Sequence, residues 1–328
     1  MKERIVELDF FKGVAMLLVV CGHFILNNWS GALDKHPVYT WIYSFHMPLF
    51  FFISGYLISY SGKELSFITV KKKVEALLIP FILWSFLLYP FLSNANVYFS
   101  LGDFLNPSPK YWFVYLLFFY SMAYYCCNEI YRRSYLWGVL IFVSFVILFV
   151  VGESFYHCEL FSRGVQFYPI YIYGVLANKL ELTKKGWLEN TLFLSILFVL
   201  FVASSLCYCK MESSILNKVK KLVASFSICT IILYYIKIRA ITEQYGSNHW
   251  WINQITYVGK NSIVIYLSHF LFVKFIQNPI DTINDIEPFW AFFLSIIASI
   301  VIVGVCLLIG RIADNFLWIN RFVFGRDW

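Results

Sequence analysis

Two charged residues and a histidine interrupt the apolar stretch near the start of the chain, at Asp9, Lys12 and His23. On a helix, Lys12 and His23 return to nearly the same face, and Asp9 lies within ion-pair reach of Lys12. If the helix crosses a membrane, His23 lies roughly 16 Å deeper than Lys12. Ionisable groups at such depth face a cavity or a partner, which indicates acid–base chemistry inside a membrane. The alternative is that Asp9 and Lys12 cap the helix and His23 is a packing residue.

A second histidine lies inside the next apolar run, TWIYSFHMPLFFFISGYLIS, at His46. Pro48 can kink this helix because proline removes a backbone donor. Ser54 and Gly55 allow another helix to approach closely, and a packing notch of this kind needs no further role. His46 either acts in the chemistry or orients His23 or a substrate.

The composition places these histidines in a membrane protein. Of 328 residues, 60% are hydrophobic and only 14% are charged, and the mean hydropathy is +0.69. A soluble domain could not cover that much apolar surface with so few charges. The sequence therefore predicts an all-α fold, a polytopic membrane helix bundle, with one domain over residues 1–328. The net charge of +7 reflects basic residues between apolar runs rather than nucleic-acid binding, and the cysteines show no metal-ligand spacing.

Ten apolar segments are long enough to cross a membrane. They lie at about 10–29, 40–60, 74–92, 111–128, 135–152, 164–181, 190–208, 222–238, 257–277 and 289–310. An even number places both termini on one side, and most lysines and arginines fall on that side, which predicts that it is the cytoplasm. One loop disagrees, because Lys210, Lys218, Lys220 and Lys221 would lie outside. Either the boundaries of segments seven and eight are wrong there, or the loop attracts anions.

Several segments together resemble the integral-membrane acyltransferase family 3, in its fucose 4-O-acetylase-like branch. The first is a basic residue followed eleven positions later by histidine, here Lys12 and His23. The others are FHMPLFFFISGYL at 45–57, YWFVYLLF at 111–118, RGVQFYPIYIYGVL at 163–176 and GKNSIVIYLSH at 259–269. They occur in the family's order over nearly the whole chain.

The resemblance implies a membrane O-acyltransferase in the inner (plasma) membrane. The implied reaction moves an acyl group, usually acetyl, from acetyl-CoA to a sugar hydroxyl of a surface or secreted glycan. Acyl-CoA is then a donor substrate, and no permanently bound cofactor or metal is expected. Lys12 and His23 are the pair the family is thought to need. One departure is that Lys73 matches the first base before the third span, whereas Ala76 occupies the position of the second.

The depth of each residue along its helix places further candidates near His23 and near Lys12. His23, His46 and His269 come to a similar level in the outer half of the bilayer, whereas Lys12 and Lys73 lie at the inner end. With Asp9, Lys12, His23 and His46 as catalytic candidates, the predicted substrate-binding residues are Ser54, Trp112, Arg163, Tyr266, His269 and Lys73. Tyr266 and His269 share a stripe that also fits a helix interface, Arg163 could be snorkelling, and Trp112 also fits an interfacial aromatic belt.

Two kinds of function remain open from the sequence. In an acyltransferase, a neutral imidazole accepts the proton of the attacking hydroxyl, or histidine itself carries the acyl group. In a transporter or flippase of a glycan or an acyl donor, the same polar groups line a pathway. The spacing of Lys12 and His23 favours the enzyme, because a transporter more readily shows an inverted repeat or paired broken helices, and the sequence shows neither.

Overall fold

The computed structural model describes residues 4–28, 36–88, 111–134, 159–208, 215–242, 249–275 and 288–326, with five separate positions between 136 and 147. Every secondary-structure element within these ranges is helical. The α-helices are α1 (Val6–Asn28), α2 (Pro37–Ser61), α3 (Phe67–Lys73), α4 (Ile79–Ile82), α5 (Trp112–Arg133), α6 (Glu159–Lys179), α7 (Thr191–Leu206), α8 (Ile215–Thr242), α9 (Trp250–Lys260), α10 (Ser262–Phe275) and α11 (Pro288–Asp314). Wide π-helical turns at Val74–Leu78 and Leu83–Leu88 flank α4, and another follows α11 at Ile319–Val323.

The described helices confirm the all-α membrane bundle. By length and composition, four of them could cross a membrane within Val6–Asn28, Pro37–Ser61, Leu216–Arg239 and Phe292–Asp314, and the shorter apolar helices are Thr191–Leu206 and Ser262–Val273. Nine of the ten predicted segments overlap a described helical segment, whereas the fifth, 135–152, lies outside the described residues apart from isolated positions.

Two boundaries differ from the prediction. The ninth segment is divided at Asn261, where α9 ends and α10 begins. The eighth begins earlier than its hydropathy indicates, because α8 starts at Ile215 and carries Lys218, Lys220 and Lys221 as helical residues. These lysines are therefore not in a loop, which supports the alternative that the predicted boundaries were wrong there. Lys210 lies outside the described residues.

The start and end of α2 follow from local chemistry. The His36 ring accepts a hydrogen bond from the Tyr39 backbone N–H at 3.2 Å, and Pro37 occupies the first turn. Proline suits this position because the first-turn N–H groups have no partner within the helix. Gly62 ends the helix with φ of +63°, a left-handed conformation that favours glycine.

Glycines allow two pairs of helices to touch backbone to backbone. A Cβ on Gly55 would lie 2.0 Å from the Tyr171 carbonyl oxygen, and one on Gly174 would lie 2.1 Å from that of Phe52, so α2 and α6 cross there. Gly13 and Gly259 play the same part for α1 and α9, with hypothetical Cβ contacts of 2.0 and 1.8 Å. The small-residue notch predicted at Gly55 is thus a helix crossing. Helix α1 also packs against α2, α10 and α11, so it occupies the centre of the described bundle.

The segment after α11 is tied back to the start of the third predicted span. Arg321 forms an ion pair with Glu75, and the Trp84 indole N–H donates to the Val323 carbonyl at 2.9 Å. Arg326 pairs with Asp314 and donates to the Asn261 side chain at 2.8 Å. These contacts connect the ends of α3, α10 and α11.

Candidate active site

Two histidines from different helices meet in the interior. The rings of His23 on α1 and His269 on α10 are 5.3 Å apart between centroids. His269 is fully buried, and the Phe270 ring lies 4.7 Å from that of His23. Helices α1 and α10 pack directly against each other, which accounts for this meeting of residues 246 positions apart.

The backbone determines which nitrogen of His269 carries the proton. His269 Nδ1 lies 2.9 Å from the Ile265 carbonyl oxygen. Because a carbonyl can only accept, Nδ1–H is the donor, and Nε2 of the neutral ring retains its lone pair. Nε2 is buried and makes no hydrogen bond within the described part of the chain. The site therefore contains a buried proton acceptor next to His23.

Tyr43 links the third histidine to this pair. Its ring lies 6.5 Å from that of His23 and 4.8 Å from that of His46. His46 Nδ1 lies 2.6 Å from the Ile42 carbonyl, so His46 has the same tautomer as His269. Tyr43 is not among the residues predicted from the sequence. The signal was available, since Tyr43 precedes His46 by three residues and so shares its helix face.

Aromatic side chains just before α5 and on α10 form the wall beside the histidines. Tyr111 donates its hydroxyl to the Leu267 carbonyl at 3.1 Å, and its ring lies 5.6 Å from Phe270. Tyr266 is buried, with its ring 6.0 Å from that of His269. The predicted candidate Tyr266 therefore borders the histidine cluster.

A second cluster, the cation–aromatic stack, consists of Arg163, Trp112, Phe167 and Lys221. The Arg163 guanidinium lies 4.7 Å from the Trp112 ring, Trp112 stacks on Phe167 at 5.3 Å, and Lys221 Nζ lies 4.6 Å from the Phe167 ring. Lys221 is buried. Its position in the sequence predicted only a loop lysine that could attract anions, because charge lowers the local hydropathy. Trp112 contacts a cation and another ring here, so it helps to position Arg163.

The stack lies near the histidine cluster, since Arg163 has a long-range electrostatic interaction with Tyr43 and Tyr266, whose rings lie near those of His23 and His269 respectively. The structure thus brings four of the ten predicted residues together at the histidine cluster, His23, His46, His269 and Tyr266, whereas Arg163 and Trp112 lie in the neighbouring cation–aromatic stack.

Lys12 and Asp9 form a separate charged group at the other end of α1. Lys12 Nζ lies 2.6 Å from an Asp9 carboxylate oxygen, which confirms the predicted ion pair, and Arg4 contacts the second oxygen. Asp9 is only 3% exposed, and its backbone lies against Gly259 of α9. Along the helix, Lys12 and His23 are about 16 Å apart. These charges therefore do not touch the histidine cluster.

The remaining two candidates lie apart from the histidines. Ser54 is eight residues beyond His46 on α2, which is about 12 Å along the helix. Lys73 is the last residue of α3, two positions before Glu75, whose carboxylate pairs with Arg321. Ser54 therefore lies at the crossing of α2 and α6, and Lys73 lies at the end of α3.

Comparison with known proteins agrees with this architecture. A family model described as an acyltransferase domain matches residues 5–309. A nodulation protein NolL of Mesorhizobium japonicum is 35% identical over 127 residues, or 35% of this chain and 34% of that protein. Another nodulation protein NolL, from Sinorhizobium fredii, is 36% identical over 102 residues, or 30% of this chain and 28% of that protein.

The chain matches about a third of the length of these two relatives, or slightly less. The family match, by contrast, begins just before the Asp9–Lys12 ion pair and extends past His269 into α11. It therefore contains the histidine cluster, the cation–aromatic stack and the charged group of α1. On this match, the protein belongs to the membrane acyltransferase family, acyltransferase 3.

Proposed function

We propose that this protein transfers an acyl group, most simply acetyl, from cytoplasmic acyl-CoA to a sugar hydroxyl of a surface or secreted glycan. The observation that carries the proposal is the pairing of the half-buried His23 with the fully buried His269 inside a chain of the acyltransferase family. Deprotonation of a hydroxyl nucleophile requires a proton acceptor positioned within hydrogen-bond reach of it.

The reaction follows a balanced sequence at this pair. His23 accepts the proton of the sugar hydroxyl as its oxygen attacks the thioester carbonyl carbon. The tetrahedral intermediate collapses with cleavage of the carbon–sulfur bond, and the departing thiolate takes up the proton from the imidazolium. The His269 Nε2 lone pair is available to accept a hydrogen bond from the protonated ring of His23 or from the hydroxyl. Transfer through an acyl-histidine is the second route that this geometry supports.

The oxyanion of the intermediate requires hydrogen-bond donors or positive charge. Tyr43 borders His23 and His46 and supplies a hydroxyl donor, and Arg163 of the cation–aromatic stack supplies a guanidinium. Such groups stabilise the transition state best when they are held rigidly, because they then need no reorganisation during the reaction. Arg163 is held by the Trp112 ring, and Tyr43 is packed between Tyr39 and His46.

The donor is assigned to the end of α1 that carries Lys12. Its ammonium, together with Arg4, offers positive charge to the phosphates of CoA, and Asp9 fixes both cations. The long pantetheine arm would then extend along α1 toward His23. The acceptor would enter from the opposite side, past Arg163 and Lys221. Both termini are assigned to the cytoplasm and the protein to the inner membrane, by the distribution of basic residues.

Mass spectrometry of surface glycans provides the direct test. Cells with the wild-type protein should show an added acyl mass that is absent without it, and His23→Ala should abolish that mass with membrane insertion unchanged. His249→Ala is the matched control, since this exposed histidine lies outside the cluster. Glycans that keep the acyl group in the His23→Ala strain would remove His23 from the chemistry. Movement of glycan across the membrane without any acyl mass would favour the transporter alternative.

A further inference from the structure

A groove of about 410 Å³ lies between α9 and α11, outside the histidine cluster. Asn253, Gln254 and Tyr257 line it on the α9 side. Helices α9 and α11 both pack against α1, which leaves the space between them as a separate feature. No step of the proposed acyl transfer uses it.

The α11 wall of the groove is amphipathic along its length. Gly304, Leu307, Leu308 and Arg311 line it, with the spacing of one helix face. Gly304 and Arg311 are separated by about 10 Å along the axis. A Cβ at Gly304 would have no atom within 4 Å, so the missing side chain leaves open space. The groove thus has an apolar part at Gly304 and a cation at its other end.

This wall faces the membrane. Helix α11 is the most apolar of the candidate spans, and only 28% of its most apolar stretch is buried within the protein. Leu308 is 59% exposed. Exposed apolar surface on a membrane span is solvated by lipid chains. A lipid is therefore the molecule that would occupy the groove.

The polar groups specify which part of a lipid lies where. Arg311 Nε donates to the Tyr257 hydroxyl at 3.3 Å, which holds the guanidinium at the end of the groove. A guanidinium pairs with phosphate through two parallel hydrogen bonds. Asn253 and Gln254 lie one turn before Tyr257, and their amides are suited to the ester carbonyls of a glycerol backbone.

We propose that the groove is a binding site for a glycerophospholipid with a net negative headgroup. Its phosphate pairs with Arg311, and one acyl chain lies along Leu308 to Gly304. Bound there, the lipid bridges α9 and α11. Because α9 touches α1 at Gly13, next to Lys12, the lipid supports the helix that carries the proposed donor end.

Native mass spectrometry of the purified full chain in lipid nanodiscs tests the site, with phosphatidylglycerol and phosphatidylcholine as probes. The wild type should retain phosphatidylglycerol in preference. Arg311→Gln should weaken that retention about fivefold, the effect of one basic side chain near a lipid surface. Gly304→Leu should fill the apolar part and reduce retention of both lipids. Lys184→Gln, an exposed cation elsewhere, and Val301→Leu, on the same helix outside the groove, should behave as wild type.

Equal retention of phosphatidylglycerol in wild type, Arg311→Gln and Gly304→Leu would overturn the proposal. So would a wild type that retains phosphatidylcholine equally well, because the site would then not select a net negative headgroup. Should Gly304→Leu fail to fold, Tyr257→Phe removes the hydroxyl that positions Arg311 and should also weaken phosphatidylglycerol. The readout is lipid mass, so its outcome is independent of whether acyl transfer is the function.

Discussion

The protonation state of His269 is set by its own helix. A backbone carbonyl one turn earlier holds the Nδ1 proton, so the ring presents a lone pair rather than a donor toward its surroundings. His46 follows the same rule on α2. Two of the three clustered histidines are thus oriented by the helices that carry them. A proton acceptor held in this way needs no change of tautomer when a hydroxyl arrives.

His269→Phe should keep the packing of the cluster and remove this acceptor. We expect the rate of acyl transfer to fall by about 10- to 100-fold, the effect of losing one hydrogen bond to the protonated ring of His23. Single-turnover transfer from labelled acetyl-CoA in proteoliposomes measures it. A matched His249→Phe variant should retain wild-type rates. Undiminished transfer by His269→Phe would restrict the residue to packing.

Asp9→Asn should act on the donor end alone. The substitution removes the negative charge that fixes Lys12 and Arg4, so we expect the apparent KM for acyl-CoA to rise with little change in kcat. Initial rates at varied acyl-CoA concentration measure this. Glu189→Gln is the control, because it breaks only the ion pair between the exposed Glu189 and Lys237. An unchanged KM would leave Asp9 and Lys12 as a helix cap.

At the scale of helices, the close crossing of α1 and α9 determines where the charged group lies. The crossing depends on the absence of side chains at Gly13 and Gly259, since either Cβ would lie about 2 Å from a backbone atom. Backbone of this kind cannot move aside as a flexible side chain does. The position of Asp9 against α9 is therefore fixed by two glycines rather than by polar contacts.

Gly259→Ala and Gly304→Ala form a matched pair of helical substitutions with opposite expected signs. Gly259→Ala should destabilise by roughly 1–3 kcal/mol or more, because it forces the helices apart. Gly304→Ala should stabilise by about 0.5–1 kcal/mol, because its Cβ enters open space and alanine favours the helix. Thermal unfolding in detergent compares them. Equal shifts in Tm would contradict the crossing.

The N-terminus of α2 should respond to pH. Burial lowers the pKa of His36 below its ordinary 6.5, and the neutral ring caps the helix. The unfolded chain binds the proton more readily, so this contribution to stability is fully present above pH 6.5. It is lost as the pH falls through the lowered pKa of the folded protein.

His36→Asn keeps a capping side chain that does not titrate. The Tm of the wild type should fall more steeply than that of His36→Asn as the pH drops below 6.5. Parallel plots of Tm against pH for the two proteins would show that His36 binds no proton on unfolding, which would contradict the prediction.

Much of the bundle was predictable from the sequence, because runs of apolar residues long enough to cross a membrane have few alternatives. The break at Asn261 was not found, since the hydropathy average carries across it. Lys218 to Lys221 were misassigned to a loop because charge lowers hydropathy without ending a helix. At the site, helical depth placed the histidines at one level. It could not show that α1 and α10 are neighbours, or that Tyr43 lies between His23 and His46.

For the whole molecule, the contacts after α11 join the described bundle into a closed arrangement. Arg321 and Glu75 are 246 positions apart in sequence and meet at the same end of the bundle as Asp314 and Arg326. Loss of one partner leaves the other charge half-buried. The free-energy losses of the two single substitutions, added together, should therefore exceed the loss in the double variant.

A double-mutant cycle with Arg321→Gln and Glu75→Gln tests this closure. The double variant should be less destabilised than the sum of the single variants, by about 0.5–3 kcal/mol. Chemical unfolding in mixed micelles gives the four free energies, and the surface pair of Lys184 and Glu181 provides a cycle whose coupling should be near zero. Strict additivity at Arg321 and Glu75 would mean that the pair does not hold the bundle closed.

The residues that make this closure emerge from the ribosome after all the spans that they connect. Before they are synthesised, Glu75 and the Trp84 indole lack their partners Arg321 and Val323. A chain that stops before Ile319 therefore contains the clustered histidines but lacks the contacts of Arg321 and Val323. We expect a chain without these residues to unfold at a lower temperature, because Glu75 and Trp84 lose their contacts with Arg321 and Val323.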